Sequence, residues 1–312
     1  MAGDRRALAR GLTVVETGGD PAEELLFGLY ESVGDAWRIG ITGPPGAGKS
    51  TLVSAIVRRL RDRPEAEPVS VLAVDPTSPF TGGALLGDRV RMTQLAGDEG
   101  VFIRSMATRG AFGGLARAAS DAVDLLDAAG ADPVVVETVG VGQSEVEIAG
   151  VADTTVVVLS PESGDGVQAM KAGILEVADV FAINKADREG ADRMSRDIQE
   201  MLHLASGRGD SWVPPVVMTV AVDGGGVDDL VSEMERHRDH LQAGVGLRLR
   251  RVAGLRRKVA GLVEDRVRAD LWTEARSADL DSRAEAIHDR AETPYGAARA
   301  LLESYRQGGA AS

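Results

Sequence analysis

The chain has 312 residues, 44% of them hydrophobic, which is enough for one large α/β domain with a buried core plus helical additions. Its formal net charge of −13 argues against binding to nucleic acid or to an anionic membrane. The sequence lacks cysteine, a membrane-spanning apolar run and an apolar signal core, so disulfides and cysteine-bound metal are excluded and a cytoplasmic protein is expected. Residues 1–36 are predicted to form an N-terminal helical extension.

Residues 37–222 alternate short apolar runs with amphipathic stretches. This alternation predicts an α/β architecture, with a mostly parallel sheet and helices on both of its faces. The predicted strands are 38–42, 69–74, 100–104, 133–137, 154–159, 180–184 and 215–220.

The first predicted strand runs into a phosphate-binding loop. Residues Gly43 to Ser50 read GPPGAGKS and match the pattern Gly-x-x-x-x-Gly-Lys-Ser at every position. The glycines let successive backbone N–H groups cradle phosphate oxygens, and Lys49 brings a positive charge to the terminal phosphates. The Ser50 hydroxyl suits Mg²⁺, and the helix predicted at 51–61 points its positive dipole end at the phosphates. Residues 37–222 are therefore predicted to be a P-loop domain.

Acidic residues follow two later strands, at the carboxyl edge of the sheet where α/β proteins bind ligands. Asp75 ends one strand. Glu137 and Gly140 match the acidic-x-x-Gly pattern, whose carboxylate holds Mg²⁺, usually through water, and whose glycine N–H meets the terminal phosphate. Asp88, in a glycine-rich segment, is a further metal candidate. For Asp75 and Asp88 the alternative is a helix or turn cap.

The strand predicted at 180–184 leads into Asn184-Lys185-Ala186-Asp187, the Asn-Lys-x-Asp pattern of guanine-nucleotide proteins. The Asp187 carboxylate can accept hydrogen bonds from the guanine ring N–H and the exocyclic amine. Adenine offers no matching donors and would leave this carboxylate partly unsatisfied. The pattern predicts binding of GTP and GDP, with a solvated turn as the alternative.

The residues expected to activate water depart from the pattern of many small GTPases. Val141 stands directly after Gly140, where those proteins place a water-orienting glutamine, and Gln143 comes two residues later. Slow intrinsic hydrolysis is therefore predicted. Arg104 and Arg109 are candidates to supply charge to the transition state, with surface ion pairs as the alternative.

Residues 223–312 are predicted to be a C-terminal helical region. His237 and His240 lie three residues apart in a charged stretch and are expected on a solvated helix face. An apolar stripe predicts either packing on the chain's own P-loop domain or a dimerisation arm. Its members are Val252, Leu255, Val259, Leu262, Val263, Val267 and Leu271.

Together these motifs resemble one family, the MeaB, ArgK and MMAA group of P-loop GTPases. The resemblance covers nearly the whole chain, and VETVGVGQSE is far more specific to the group than the phosphate loop. The matching stretches are GITGPPGAGKSTL (40–52), LAVDPTSPFTGGALLGDRVRM (72–92), VFIRSMATRG (101–110), VVVETVGVGQSE (134–145), SPESGDGVQAMKAGILEVAD (160–179), NKAD (184–187) and TPYGAARALL (293–302).

The resemblance implies a GTP-hydrolysing chaperone that gates cofactor loading into an adenosylcobalamin-dependent acyl-CoA mutase, chiefly methylmalonyl-CoA mutase, and protects that enzyme. It also implies a homodimer, which favours the dimerisation arm. A nickel-inserting GTPase metallochaperone and an ATP-dependent small-molecule kinase, after the arginine/ornithine transport label of some members, are the alternatives. The chain has no His-rich tract or Cys pair to carry nickel, and the NKAD sequence opposes ATP.

The resemblance also implies roles for individual residues. Ser163 to Gly173 resembles a switch segment that senses nucleotide and mutase, and Lys171 within it is a candidate to supply catalytic charge, with a solvated helix start as the alternative. Backbone N–H groups of Thr219-Val220-Ala221 are expected to meet the guanine oxygen, where GTPases often have a Ser-Ala pair. The residues implied to hold phosphates and Mg²⁺ are Gly43, Pro44, Pro45, Gly46, Ala47, Gly48, Lys49, Ser50 and Thr51, with Asp75, Asp88 and Glu137 on the metal side.

Overall fold

The computed structural model of the chain describes residues 4–76, 95, 97–108, 114–138, 148–162, 176–205 and 212–308. Within these ranges seven strands form one sheet, and all of its strand pairs are parallel. The strands are β1 (Arg38–Thr42), β2 (Val69–Pro76), β3 (Val101–Thr108), β4 (Val134–Thr138), β5 (Thr154–Leu159), β6 (Val180–Asn184) and β7 (Val216–Thr219). The predicted α/β fold class is confirmed.

Helices precede, flank and follow the sheet. They are α1 (Arg5–Thr17), α2 (Asp20–Leu29), α3 (Lys49–Arg61), α4 (Gly114–Ala128), α5 (Ala191–Ala205), α6 (Val227–Gln242), α7 (Gly246–Leu271), α8 (Glu274–His288) and α9 (Pro294–Gly308), with 3₁₀ turns at Tyr30–Ser32 and Ile148–Gly150. In the described part of the chain, none of the helices combines the length and apolar character that crossing a membrane requires.

The chain divides into two compact units, Met1–Leu255 and Arg256–Ser312. In the second unit α8 packs on α9, and Arg283 of α8 pairs with Asp279 at 3.1 Å and with Glu292 at 2.7 Å. The domain limits predicted from the sequence, 1–36, 37–222 and 223–312, stay predictions.

Helices cover both faces of the sheet, so its central strands are buried on both sides and read as continuous apolar runs. On one face Ile41 of β1 and Ile56 of α3 belong to a buried cluster that α6 completes. On the other face Val136 of β4 packs with Leu126 of α4 and with α1. The core thereby fixes the strands whose ends carry the candidate site.

The strand order is β3-β2-β4-β1-β5-β6-β7, so the chain adds β2 to β4 on one side of the central β1 and then β5 to β7 on the other side. β1 pairs with β4 on one side and with β5 on the other. In parallel α/β sheets, ligands bind outside the carboxyl ends of the strands where the order reverses in this way. The fold thus places the phosphate-binding loop, which follows β1, at the expected ligand crevice.

Candidate functional site

Two glycines of the phosphate-binding loop occupy positions that have no room for a side chain. Gly43 has φ 137°, and a Cβ added there would lie 2.0 Å from the carbonyl oxygen of Val158 on β5. Gly48 caps the N-terminus of α3 in the left-handed conformation, and a Cβ added there would lie 2.4 Å from the Asn184 side chain. Only glycine meets both conditions, so the loop is closely fitted between β5 and the turn after β6.

The Lys49 ammonium is held over the same loop. Its Nζ donates hydrogen bonds to the carbonyl oxygens of Gly43 at 2.8 Å and Pro44 at 3.0 Å, and the residue is 6% exposed. The cation is therefore held over the phosphate-binding loop, beside the N-terminus of α3. Such an arrangement suits the phosphates of a nucleotide.

A hydroxyl and a carboxylate meet beside this loop. Ser50 Oγ donates a hydrogen bond to Glu137 Oε1 at 2.6 Å, and both residues are buried. β1 and β4 bring them together, because Ile41 pairs with Glu137 in the register of the sheet. Hydroxyl and carboxylate oxygens are ligands of the kind that Mg²⁺ takes.

The other predicted metal-side residues are described less fully. Asp75 lies near the end of β2 and pairs with Ala107 of β3, and only its backbone position is described. Asp88 and Gly140 lie outside the described residues. Among the residues that are described, no group of three or more histidine, cysteine or acidic side chains could hold a metal ion.

The buried Asn184 side chain ties three loops together. Its Nδ2 donates to the Ala47 carbonyl in the phosphate-binding loop at 2.8 Å. Its Oδ1 accepts a hydrogen bond from the Ala221 N–H at 3.0 Å, while Thr219 Oγ1 lies 3.4 Å away. The Ala186 N–H, in turn, donates to the Thr219 carbonyl. The phosphate loop, the NKAD turn and the loop after β7 are therefore held as one assembly.

The charged residues of the NKAD turn are more exposed. Lys185 adopts φ 58°, and its Nζ donates to Glu162 Oε2 at 2.7 Å. This hydrogen bond lowers the pKa of Glu162 below its ordinary value. Arg188 Nε lies 3.5 Å from Asp187 Oδ2 and 3.7 Å from Glu162 Oε1. The Asp187 side chain is about half exposed, so a purine could reach it.

Sequence reasoning did not single out Glu162. It follows β5, whose Leu159 pairs with Ile183 of β6, so the segments leaving these two strands are neighbours. The signal that could have found it is the adjacency of these two parallel strands. Adjacency does not explain the bond between Asn184 and Ala47, because β5 lies between β1 and β6.

Of the residues predicted to supply charge to the transition state, the structure describes only Arg104. The Arg104 guanidinium lies 3.3 Å from Glu16 and 3.2 Å from Thr13, both on α1, which matches the ion-pair alternative. Arg109, Gln143, Lys171 and the whole of Ser163 to Gly173 lie outside the described residues.

The expectation for His237 was wrong, whereas His240 is exposed as expected. His237 is 1% exposed, with Nδ1 3.0 Å from Thr154 Oγ1 and Nε2 3.2 Å from Asp179 Oδ1. The reason is the face of α6 on which it lies. Its position continues the buried spacing of Leu230, Met234 and Leu241, so the ring points at β5 and β6.

Residues 8–276 match the family described as "Methylmalonyl Co-A mutase-associated GTPase MeaB". A putative GTPase of Pyrococcus abyssi is 45% identical over 309 residues, which cover 98% of this chain and 95% of that protein. The mouse "Methylmalonic aciduria type A homolog, mitochondrial" is 36% identical over 258 residues, covering 77% of this chain and 62% of that protein.

A solved structure described as "Crystal structure of LAO/AO transport system kinase" has the same fold. Its TM-score against this chain is 0.74, and the two sequences are 29% identical. The similarity covers 97% of this chain and 94% of that one. It therefore extends beyond the sheet to both the N-terminal and the C-terminal helices.

Proposed function

The chain belongs to the MeaB family of methylmalonyl-CoA mutase-associated GTPases, and from this we propose that it is a GTP-hydrolysing chaperone of an adenosylcobalamin-dependent acyl-CoA mutase. In this role it gates cofactor loading into the mutase and protects that enzyme from inactivation. The expected client is methylmalonyl-CoA mutase. The observation that carries the proposal is the family match over residues 8–276. The name of the mouse relative, which refers to methylmalonic aciduria, is consistent with it.

In the proposed site the β- and γ-phosphates of GTP lie in the loop from Gly43 to Thr51. Lys49 directs its charge at them, and its bonds to the Gly43 and Pro44 carbonyls keep the ammonium at the loop before phosphate enters. Ser50 and Glu137 would hold Mg²⁺, with Asp75 and Asp88 as further members of the metal side. When bound, Mg²⁺ supplies positive charge that offsets the charge of the transferring phosphoryl group.

The base is read by the NKAD turn. Asp187 accepts hydrogen bonds from the guanine ring N–H and exocyclic amine. In the loop from Thr219 to Ala221, the Ala221 N–H, which bonds Asn184 Oδ1 in the structure, would share its hydrogen with the guanine oxygen. Asn184 contributes by fixing these parts to the phosphate loop, since its carboxamide bonds Ala47 and Ala221. The distance between the base pocket and the phosphate pocket is thereby held constant, while the hydrogen bonds to Asp187 favour guanine over adenine nucleotides.

The chain is a GTPase, and we expect its turnover alone to be slow. Val141 replaces the water-orienting glutamine of many small GTPases, so the attacking water lacks that aid. Lys171, within Ser163 to Gly173, is the proposed source of additional charge. A client that rearranges this segment would accelerate hydrolysis.

The proposed assembly is a homodimer that uses the apolar stripe of α7. Six of the stripe's side chains are between 37% and 58% exposed, which is unusual for one helix of a protein in water. Burying such a face against a second copy would remove it from solvent. The six are Val252, Leu255, Val259, Leu262, Val263 and Val267.

The decisive experiment measures GTP hydrolysis by the protein alone and with an equimolar adenosylcobalamin-dependent methylmalonyl-CoA mutase of the same organism. Stimulation of turnover supports the chaperone proposal. Unchanged turnover, with GTP still bound and slowly hydrolysed, contradicts this choice of client. The Lys49→Ala variant with mutase serves as the control for contaminating hydrolysis.

A parallel competition arm addresses the kinase alternative, which the similarity to a solved transport-system kinase raises. ATP and GTP are each used to displace labelled GDP at equal concentration. Displacement by ATP as efficient as that by GTP would refute guanine selectivity and favour an ATP-dependent activity.

A further inference from the structure

Glu162 lies among the charges of the NKAD turn although it belongs to a different segment. It leaves the sheet after β5, which is the direct neighbour of β6, the strand that leads into the turn. Its carboxylate accepts the 2.7 Å hydrogen bond from Lys185 and faces Arg188 at 3.7 Å. Two cations of the turn thus have Glu162 as an acidic neighbour.

Arg188 lies between two carboxylates. Its Nε is 3.5 Å from Asp187 and 3.7 Å from Glu162, and neither distance corresponds to a tight hydrogen bond. The guanidinium is therefore shared rather than committed to Asp187. If the charge of Glu162 were removed, the attraction of the guanidinium to Asp187 would no longer be opposed.

Sharing the cation matters because Asp187 would be needed for the base. A guanidinium bonded tightly to this carboxylate would occupy an oxygen that should accept from guanine and would weaken the acceptor by neutralising its charge. We propose that Glu162 is a specificity-determining positioning residue of the guanine site: it binds Lys185 and shares Arg188 with Asp187, so that the guanidinium does not pair fully with the Asp187 carboxylate. This inference rests on the proposed role of Asp187 in reading guanine.

The test compares binding of GDP and inosine diphosphate to the wild-type chain and to Glu162→Gln, by displacement of fluorescently labelled GDP. Inosine lacks the exocyclic amine of guanine, so the ratio of the two affinities reports the acceptor strength of Asp187. In Glu162→Gln we expect the GDP affinity to fall roughly two- to fivefold, as for an exposed ion pair, and the inosine diphosphate affinity to fall less. The effect should shrink at high salt.

Two further variants separate competition from a structural effect. Glu189→Gln makes the same charge change at an exposed residue of the turn and should leave both affinities unchanged. In Glu162→Gln combined with Arg188→Gln, the competing cation is gone and the affinity ratio should return towards that of the wild type. Equal weakening of both nucleotides in Glu162→Gln, or no weakening, overturns the proposal.

Asp187→Asn distinguishes failure of this inference from failure of the proposed site. If that variant keeps its preference for GDP over inosine diphosphate, Asp187 does not read guanine and the proposed base site is wrong. If that variant loses the preference while Glu162→Gln behaves as the wild type, only the role assigned to Glu162 is refuted.

Discussion

Charged side chains differ in burial and in pairing between the two edges of the parallel sheet. At the amino edge, where the strands begin, acidic residues are buried and paired with arginines through several short hydrogen bonds. At the carboxyl edge, where the strands end, charges lie at the end of β4, at the start of α3 and in the exposed turn after β6. β5 and β6 span the distance between the two edges within a few residues each.

The amino edge is a network of buried ion pairs. Asp179, just before β6, accepts bonds from Arg250 at 2.5 and 2.7 Å and from the Thr155 N–H at 2.8 Å. Burial opposes ionisation of Asp179, but the hydrogen bonds from Arg250 and from His237 prevail and lower its pKa. Asp153, before β5, pairs with Arg251 at 2.7 and 3.0 Å. The start of α7 is thereby fastened to the sheet.

At the carboxyl edge the polar groups bond to partners that a bound ligand would replace. Ser50 and Glu137 bond each other, Lys49 bonds its own loop, and Glu162 shares the cations around Asp187. In the proposed site, the contacts of Ser50, Glu137 and Lys49 would be exchanged for contacts to nucleotide or metal. From this difference we expect the amino edge to contribute to stability and the carboxyl edge to carry the proposed chemistry.

The strongest test of this division is Lys49→Ala. Removing the cation from the phosphate loop should lower GTP turnover on the order of 100-fold or more, because its charge would stabilise the transferring phosphoryl group. Thermal unfolding should change little. Turnover is measured as phosphate release at saturating GTP.

The control for this variant is Arg59→Ala, which removes an exposed cation from the same helix and should leave turnover unchanged. Hydrolysis retained in Lys49→Ala would mean that the phosphates bind elsewhere and that the carboxyl edge has been assigned wrongly.

The matching test at the amino edge is Asp179→Asn. Loss of the carboxylate leaves Arg250 partly buried without its charged partner, and we expect about 2–3 kcal/mol of lost unfolding free energy. The melting temperature should fall by roughly 5–10 °C. GTP turnover per folded molecule should stay close to that of the wild type.

Asp228→Asn is the comparison variant, because this aspartate pairs with Arg59 while its side chain is 73% exposed. It should cost less than about 1 kcal/mol. If Asp179→Asn reduced turnover while leaving the melting temperature unchanged, the division between the edges would not hold.

A smaller effect at the carboxyl edge is expected for Asp187→Asn. The neutral amide should weaken GTP binding roughly tenfold, the loss expected for a hydrogen bond to a charged group. Xanthosine triphosphate should gain affinity, because its ring carbonyl pairs with the new amide. Competition against labelled GDP measures both changes, and Asp192→Asn, exposed on α5, is the matched control. Equal GTP affinity in Asp187→Asn and wild type would remove Asp187 from the base site.

The carboxyl edge was more predictable from the sequence than the amino edge, for a physical reason. The strands and the phosphate loop follow from local patterns, since apolar runs, glycines and Asn184-Lys185-Ala186-Asp187 are each contiguous. The pairs Asp179 with Arg250 and Asp153 with Arg251 join residues 71 and 98 positions apart, and no local pattern specifies them.

The burial of His237 could have been predicted from the sequence. Its charged neighbours suggested a solvated helix face, but the helical spacing to Met234 and Leu241 placed it among buried residues. The ring then meets Thr154 and Asp179, polar groups that a sequence does not reveal as partners until the strands are aligned.

The smallest expected difference between the two edges of the sheet is in how the free energy of unfolding depends on pH. The pKa of Asp179 is lowered from 3.8 in the folded state, so near that pH the unfolded chain binds the proton more readily than the folded chain. Its contribution to stability is therefore present above 3.8 and is lost as the pH falls through the lowered folded pKa. In urea unfolding, the stability gap between wild type and Asp179→Asn should narrow as the pH is lowered.

Glu162 supplies the counterpart at the carboxyl edge. Its pKa is also lowered, by the hydrogen bond from Lys185, but the pair is exposed and solvent screens it. The stability gap between wild type and Glu162→Gln should therefore be small at every pH. A gap for Asp179→Asn that did not change with pH would show that this carboxylate contributes through shape and hydrogen bonding rather than through its charge. A large, pH-dependent gap for Glu162→Gln would instead make the carboxyl edge a second stabilising network, and the contrast between the edges would fail.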